Sequence, residues 1–275
     1  MTSRVWIPAF PPLLKASEGR GAGMTKYFMK EIRSLMGMTI VVEIVDVSAT
    51  QEAIDKVFEY FKYIDEKFSV FKYDSEITQI NNGLLPASDW SADTKEVFAL
   101  AERTKKETDG YFDIVDNNGK FNPSGLVKGW AIRNAANILK KDGFNNFYIN
   151  AGGDVQVQGK NSEGKKWSIG IKNPFKPEEI VKVVYLENQG IATSGTYLRG
   201  QHIWNPRQRK EMLEEIVSLS VIGPDVYEAD RFATAAFAIG RRGIDFIEKL
   251  FGFEGFMIDR KGIATMTNGF EKYTQ

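Results

Sequence analysis

Residues 147–158 read FYINAGGDVQVQ, and the fold class follows from this stretch together with others like it. Two short β-rich runs, Phe147 to Asn150 and Val155 to Gln158, predict strands, and Gly152-Gly153 predicts the turn that joins them. Runs of the same kind recur downstream. They extend over Trp167 to Lys172, Ile180 to Leu186, Ile191 to Thr193 and Ile216 to Ile222, and a closing hairpin follows at Gly255 to Asp259 and Ile263 to Met266.

Helical patterns interrupt and precede these strands. Upstream, Thr39 to Val47 predicts a strand. The next segment, Ala49 to Phe68, repeats its apolar residues at helical spacing behind a capping signal at Ser48 or Thr50. Further helices are predicted over Ser91 to Thr108, Lys128 to Lys141 and Tyr227 to Phe251. Runs of strands broken by single helices predict one α+β domain, since no segment is rich enough in Pro, Gly or Ser to be a linker.

Length and composition are those of a folded, soluble chain. Its 275 residues are 43% hydrophobic and 26% charged, close to the globular average. Prolines interrupt the apolar stretch within residues 1–23, which makes it a poor signal-peptide core. Because its Gly21-Ala22-Gly23 end runs into Met24, we interpret residues 1–23 as a disordered or tag-like extension ahead of a domain at 24–275. No apolar run approaches the roughly 18 residues of a membrane span. We therefore expect a cytoplasmic protein with no membrane partner.

Charge and residue usage exclude several classes of site. Lys plus Arg and Asp plus Glu number 36 each, and this balance argues against a general nucleic-acid binder. The absence of cysteine excludes disulfides, thiolate metal sites, cysteine nucleophiles and lipid attachment through cysteine. His202 is the single histidine, which excludes sites built from two or three histidines. Any metal must be held mainly by oxygen, which favours Mg²⁺ or Ca²⁺.

Several local patterns could carry chemistry. Asp230 and Thr234 share one face of the last predicted helix and suit a hard cation, although a first-turn acid also interacts favourably with the helix dipole. His202 could be a general base or a structural residue. Lys128 opens a helix whose free N–H groups attract phosphate, but neither a Walker A nor a GxGxxG pattern is present. Asn150 to Asp154 is equally consistent with a plain tight turn.

Taken in order, these segments resemble the ApbE family, the FAD:protein FMN transferases, from about Leu35 to the C-terminus. The resemblance is closest at Thr108 to Asp113, which reads TDGYFD like a turn of that family. The other similar segments are Met36-Gly37, Phe68-Ser69 through Ser75-Glu76-Ile77 to Asn81, Gly125 to Gly129, Asn150 to Asp154, Thr193 to Gly195, His202 to Pro206 and Ala229-Asp230 to Thr234.

The resemblance implies a single ApbE-like (T-fold-like) α+β domain of mixed sheets with flanking helices. It implies an enzyme that cleaves FAD with Mg²⁺ and attaches FMN by a phosphoester to an acceptor protein carrying a Ser/Thr flavinylation motif, with release of AMP. His202 would then be the general base. Gly125, through its carbonyl, would hold Mg²⁺ together with Asp230 and Thr234. The residues along FAD would be Met36, Phe71, Gly110, Tyr111, Phe112, Asn122, Lys128 and Trp204.

The sequence departs from the family pattern in three places. Asn122 and Asn205 stand where the family has Asp, and residues 207–210, RQRK, replace a Thr-Gly turn. A neutral amide would weaken an interaction with a cation or with a flavin N–H donor. Two alternatives therefore stand beside the transferase: an FAD pyrophosphatase that uses water in place of the acceptor hydroxyl, and a non-catalytic FAD-binding protein.

Overall fold

The computed structural model describes residues 28–195, 205–207 and 215–275. Within these ranges the chain has the predicted α+β fold. The strands are β1 (Met29–Leu35), β2 (Met38–Ile44), β3 (Phe147–Ala151), β4 (Asp154–Gln158), β5 (Trp167–Asn173), β6 (Lys176–Leu186), β7 (Gly190–Gly195), β8 (Ile216–Gly223), β9 (Glu254–Asp259) and β10 (Ala264–Met266). The helices are α1 (Gln51–Phe68), α2 (Glu76–Asn81), α3 (Ala92–Glu107), α4 (Ser124–Lys141), α5 (Val226–Ile239) and α6 (Gly243–Glu248).

An eight-stranded sheet organises the described residues, in the order β1-β2-β3-β4-β7-β8-β9-β10. Every neighbouring pair in it is antiparallel. Strands β5 and β6 leave this order and pair with each other as a separate hairpin. Residues 147–158 form β3 and β4 in the interior of the large sheet. Interior strands have many buried residues, and this explains why the sequence pattern of these two strands was clear enough to predict them.

Apolar side chains on the two faces of the sheet enter separate cores. On one face, Val42 and Ile149 pack with α1 and α4. Further along that face, Leu219 packs with α5 and α6. On the opposite face, Val155 and Ile191 pack against the β5–β6 hairpin. The sheet is thus covered by helices on one side and by a hairpin on the other, and each buried side chain of this size contributes about 1.5–3 kcal/mol.

Strand β1 is an element that the sequence analysis did not predict. It lies at the edge of the sheet, and its side chains alternate between exposed and half-buried. A two-residue turn, Met36-Gly37, joins it to β2, and both residues have positive φ, 54° and 68°. Positive φ at both central residues is typical of the type I′ turns that match hairpin twist. An edge strand without fully buried residues carries too weak an apolar alternation to stand out in the sequence.

The helix predicted from Tyr227 to Phe251 is wrong in its length. Helix α5 ends at Ile239, and α6 begins at Gly243 after a short 3₁₀ turn. Gly240 has a φ of 81°, a conformation that ends a helix. A Cβ on Gly243 would lie 2.0 Å from the Ala236 carbonyl oxygen, so α6 folds back tightly on α5. Both helices enter the same core, and apolar spacing alone therefore did not reveal the break.

Helices α1 and α3 begin at their predicted caps. The Thr50 hydroxyl accepts the Ala53 N–H at 3.2 Å at the start of α1, and the Ser91 hydroxyl accepts the Thr94 N–H at 3.2 Å at the start of α3. Helix α4 begins at Ser124, one turn before the predicted start.

The predicted extension at residues 1–23 lies outside the described residues, so the domain boundary at residue 24 stays a prediction. In the part of the chain that the structure describes, no helix is both long and apolar enough to cross a membrane.

Helices α4 and α5 cross in close contact, and two glycines of α4 permit it. A Cβ on Gly129 would lie 2.7 Å from the Asp230 Cβ and 2.9 Å from the Val226 carbonyl oxygen. A Cβ on Gly125 would lie 3.3 Å from the Thr234 Cγ2 atom. The two backbones approach this closely because positions 125 and 129 have no side chain.

We expect Gly129→Ala to destabilise the protein by about 1–3 kcal/mol, because the added methyl group would force the two helices apart. Urea unfolding measures the change. Asn137→Ala, at an exposed position of the same helix, is the control and should cause no loss of stability, since alanine is the better helix former. A Gly129→Ala protein as stable as the wild type would show that the crossing has room for a methyl group.

Candidate active site

Most of the predicted site residues lie at one end of the eight-stranded sheet. The β3–β4 turn lies there beside the β1–β2 hairpin, since the Gly152 N–H donates to the Thr39 carbonyl at 3.0 Å. Strand β7 ends at the same place, where the Thr193 N–H donates to Asp154 Oδ1 at 3.0 Å. Helices α4 and α5 reach this end through contacts made by Lys128 and Thr234, which are described below.

Asp230 is a buried carboxylate at the helix crossing, with only 4% of its surface exposed. Its Oδ2 atom accepts the Gly129 N–H at 2.8 Å. A hydrogen bond from a backbone N–H to a charged carboxylate is stronger than one between neutral groups. This bond ties α5 to the backbone of α4 and orients the carboxylate.

Thr234 lies one helical turn after Asp230 and brings further oxygen atoms to the same place. Its hydroxyl lies 3.4 Å from the Gly125 carbonyl oxygen and 3.4 Å from the Ser194 hydroxyl. A carboxylate, a carbonyl and two hydroxyls therefore meet where α4, α5 and β7 converge. Ser194 was not among the predicted site residues, although it belongs to the Thr-Ser-Gly segment quoted above.

All the atoms in this cluster that could coordinate a metal are oxygen atoms, which are the ligands that a hard cation requires. Among the described residues, no group of three or more His, Cys, Asp or Glu could hold a metal. A cation here would depend on one carboxylate and several neutral oxygens. Mg²⁺ commonly binds in this way, through one or two carboxylates plus the phosphates of a substrate. Gly125, Asp230 and Thr234 therefore fit a Mg²⁺ ion that shares its coordination with a phosphate ligand.

Lys128 is oriented by a buried acid. Its Nζ atom lies 2.5 Å from Oδ2 of Asp154, which is 1% exposed. The other carboxylate oxygen of Asp154 accepts the Thr193 N–H, so one side chain holds both the lysine and the end of β7. Asp154 was predicted only as part of a turn motif, without a role in the site. An acid directly after two glycines marks Asp154 as part of a turn, and nothing in the sequence indicates that it pairs with Lys128.

The chain turns sharply after α3, and side-chain bonds define that turn. Gly110 has a φ of 76°. The Thr108 hydroxyl donates to the Thr104 carbonyl at 2.7 Å and accepts the Phe112 N–H at 3.1 Å. The TDGYFD segment is thus anchored to the last turn of α3.

The two aromatic residues of this turn have different surroundings. Phe112 is buried, and its Cε2 atom lies 3.5 Å from the position that a Cβ on Gly125 would occupy. Tyr111 is partly exposed, and the Arg207 guanidinium carbon lies 5.1 Å from its ring centroid. Arg207 also pairs with Asp109, Nη1 to Oδ2, at 2.7 Å. The segment 205–207 therefore docks on the turn that carries Tyr111.

The two asparagines that depart from the family pattern have the same local role. Asn122 Oδ1 accepts the Ser124 N–H at 3.2 Å, and Asn205 Oδ1 accepts the Arg207 N–H at 2.9 Å. Asn and Asp side chains both form such bonds two residues along the chain. Asn122 and Asn205 therefore form the same turns that Asp would form at these positions, but without the negative charge of Asp.

Met36 and Phe71 occupy different positions relative to this cluster. Met36 lies in the β1–β2 turn and packs partly against the core that contains α1 and α4. Phe71 is 95% exposed, so its ring makes no extensive contact with those predicted site residues that the structure describes. An exposed ring is available to stack on a flat ligand.

The predicted base, His202, and the predicted FAD contact Trp204 lie outside the described residues. Their roles stay predictions. Gly195, the last described residue before them, ends β7 beside Ser194, at the cluster of oxygen atoms.

Solved structures of known proteins have the same fold. The flavin transferase ApbE from Vibrio cholerae matches with a TM-score of 0.78 and 20% identity, over 90% of this chain and 99% of that one. The ApbE protein from Thermotoga maritima matches with a TM-score of 0.79 and 20% identity, over 90% of this chain and all of that one (100%). The fold is therefore that of the ApbE class of α+β proteins.

Sequence comparison agrees with the fold. The chain is 25% identical to the FAD:protein FMN transferase of Haemophilus influenzae over 310 aligned positions, which cover 87% of this chain and 90% of that protein. It is 28% identical to the FAD:protein FMN transferase of Escherichia coli over 153 positions, which cover 52% of this chain and 44% of that protein. The ApbE family model matches residues 36–118 and 115–257. The chain belongs to the ApbE family.

We expect Asp154→Asn to destabilise the protein by up to about 3–5 kcal/mol, because it breaks a largely buried ion pair and leaves Lys128 without its acid. Urea unfolding measures the loss. Glu163→Gln is the control, since Glu163 pairs with Lys165 at 3.0 Å on the surface and should contribute less than about 1 kcal/mol. Equal effects of the two substitutions would contradict the role given to Asp154.

Proposed function

We propose that this chain is a Mg²⁺-dependent FAD:protein FMN transferase. Family membership supports the proposal, as does the match to the Haemophilus influenzae enzyme along most of both chains. The observation that carries it is one cluster in which an oriented lysine and the start of α4 lie beside the oxygen atoms of Gly125, Asp230 and Thr234.

This cluster suits the pyrophosphate of FAD. The dipole of α4 favours negative charge near the start of the helix, and Lys128 adds a positive charge that Asp154 holds in place. The Gly125 carbonyl, the Asp230 carboxylate and the Thr234 hydroxyl would hold Mg²⁺. When bound, the cation neutralises phosphate charge and stabilises the transition state of phosphoryl transfer.

The flavin and adenine parts of FAD require flat, apolar contacts. The ring of Tyr111 is partly exposed and that of Phe71 is almost fully exposed, so both can stack on a flat ligand. Phe112 is buried and packs beneath the same turn as Tyr111. The full set proposed along FAD is Met36, Phe71, Gly110, Tyr111, Phe112, Asn122, Lys128 and Trp204.

The reaction is a displacement at the phosphorus on the FMN side of the pyrophosphate. The hydroxyl oxygen of the acceptor Ser or Thr forms the new P–O bond, and the bond to the bridging oxygen breaks. AMP leaves with that oxygen, and His202 takes the proton of the attacking hydroxyl. Positioning and charge stabilisation supply most of the acceleration in such transfers.

The acceptor would be a redox-protein domain that presents its Ser/Thr motif as a flexible segment. A cytoplasmic location, as expected from the sequence, is part of the same proposal. Cell fractionation followed by immunoblotting tests the location.

We expect incubation with FAD, Mg²⁺ and an acceptor protein to give a fluorescent acceptor band, a mass increase of one FMN group and one AMP per transfer. His202→Ala should slow the transfer by about 10²–10⁴-fold, since it removes the general base. Its FAD affinity, measured by equilibrium dialysis, should stay unchanged. Absence of covalent FMN on several acceptors would argue against the transferase, and unchanged turnover of His202→Ala would show that another group is the base.

The same experiment separates the two alternatives. Release of AMP and free FMN without an acceptor identifies a pyrophosphatase. Bound FAD with neither product identifies a non-catalytic FAD-binding protein.

We expect EDTA to abolish transfer and added Mg²⁺ to restore it. Asp230→Asn should raise the Mg²⁺ concentration at half-maximal rate by about tenfold or more, because it removes the one carboxylate of the set. An amide oxygen still accepts the Gly129 N–H, so the helix crossing is retained. Asp245→Asn, at an exposed position of α6, is the control. Equal Mg²⁺ dependence of both variants would exclude Asp230 as a ligand.

A further inference from the structure

Arg231, the residue after Asp230, joins α5 to α3. It is 4% exposed. Its Nη1 atom pairs with Glu107 and lies 3.5 Å from the Thr104 hydroxyl, both in the last turns of α3. Its Nε atom donates to Glu228 Oε2 at 2.7 Å within α5. The planar guanidinium thus bonds to two helices at once, which a lysine could not do in the same geometry.

Aromatic rings complete the surroundings of this cation. The Arg231 Cζ atom lies 3.9 Å from the Phe232 ring centroid and 5.6 Å from that of Tyr227. Burial raises the pKa of the Tyr227 phenol, although Arg231 and Arg103 act in the opposite direction. The guanidinium is therefore enclosed by neutral rings and two acids, and its position is strongly constrained.

The contact with α3 is made directly before the turn that carries Tyr111. Glu107 is the last residue of α3, and Thr104 supplies the carbonyl that anchors the Thr108 hydroxyl. Two adjacent residues of α5 thus contact different helices: Asp230 bonds to α4, and Arg231 bonds to the end of α3, where the turn begins.

We propose that Arg231 is a positioning residue that fixes the spacing between α5 and the turn at residues 108–112. The inference rests on the proposed function, in which Mg²⁺ binds α5 and FAD lies on this turn. With the spacing fixed, Mg²⁺ and FAD strengthen each other's binding. The coupling is measured as the factor by which saturating Mg²⁺ lowers the Kd of FAD.

Equilibrium dialysis of FAD with and without Mg²⁺ tests the proposal, together with the melting temperature of each variant. Arg231→Lys keeps the charge and loses the two-helix geometry. Glu107→Gln removes the partner on α3 from a half-exposed position, which makes it the variant better suited to fold. Arg103→Gln is the matched control, because Arg103 contacts Glu228 at 3.2 Å and Glu107 at 3.7 Å with a side chain that is 47% exposed.

In both test variants we expect the coupling factor to fall by about fivefold or more, and in the control to stay within about twofold of the wild type. A purely structural role would lower the melting temperature and leave the factor unchanged in the folded protein. An unchanged factor in Glu107→Gln and Arg231→Lys overturns the proposal, as does a wild type that binds FAD equally well with and without Mg²⁺. A wild type that binds no FAD overturns the proposed function itself.

Discussion

The close crossing of α4 and α5 is the constraint on which the candidate site depends. Two positions without side chains let a backbone N–H of α4 meet the carboxylate of Asp230, and the same approach brings Thr234 to the Gly125 carbonyl. A carboxylate buried this deeply must be compensated by hydrogen bonds or by a cation. The crossing provides a hydrogen bond to the carboxylate, and it places neutral oxygen atoms nearby that suit a cation.

The antiparallel sheet explains how residues from distant parts of the chain reach that crossing. Because β3 ends where β4 begins, and β7 ends beside β4, turns far apart in sequence share one end of the sheet. Asp154 uses this arrangement to hold Lys128 from α4 and Thr193 from β7. The site is therefore assembled by connections between elements, and each element contributes one or two side chains.

Sequence reasoning predicted the elements better than the contacts between them. Strand β3 and helix α1 have buried faces with a clear period, and β4 alternates Val with Gln in its sequence although both of its faces are buried, so these patterns were sufficient. Strand β1 has no fully buried face, and the break at Gly240 is hidden because α5 and α6 enter one core. The order of motifs pointed to most of the candidate site residues. It could not show that Asp154 faces Lys128, or that Arg231 is buried, because an isolated charge in a helical pattern looks the same whether it meets solvent or a distant acid.

The adjacent positions of Asp230 and Arg231 limit how α5 can change in length. Successive residues of a helix point about 100° apart, so one added residue before position 230 would turn the carboxylate away from α4 and carry the guanidinium away from α3. Substitutions at exposed positions of α5 do not change the directions in which Asp230 and Arg231 point. Relatives that keep both contacts should therefore differ in this helix by replacement, with insertions and deletions confined to the loops at its ends.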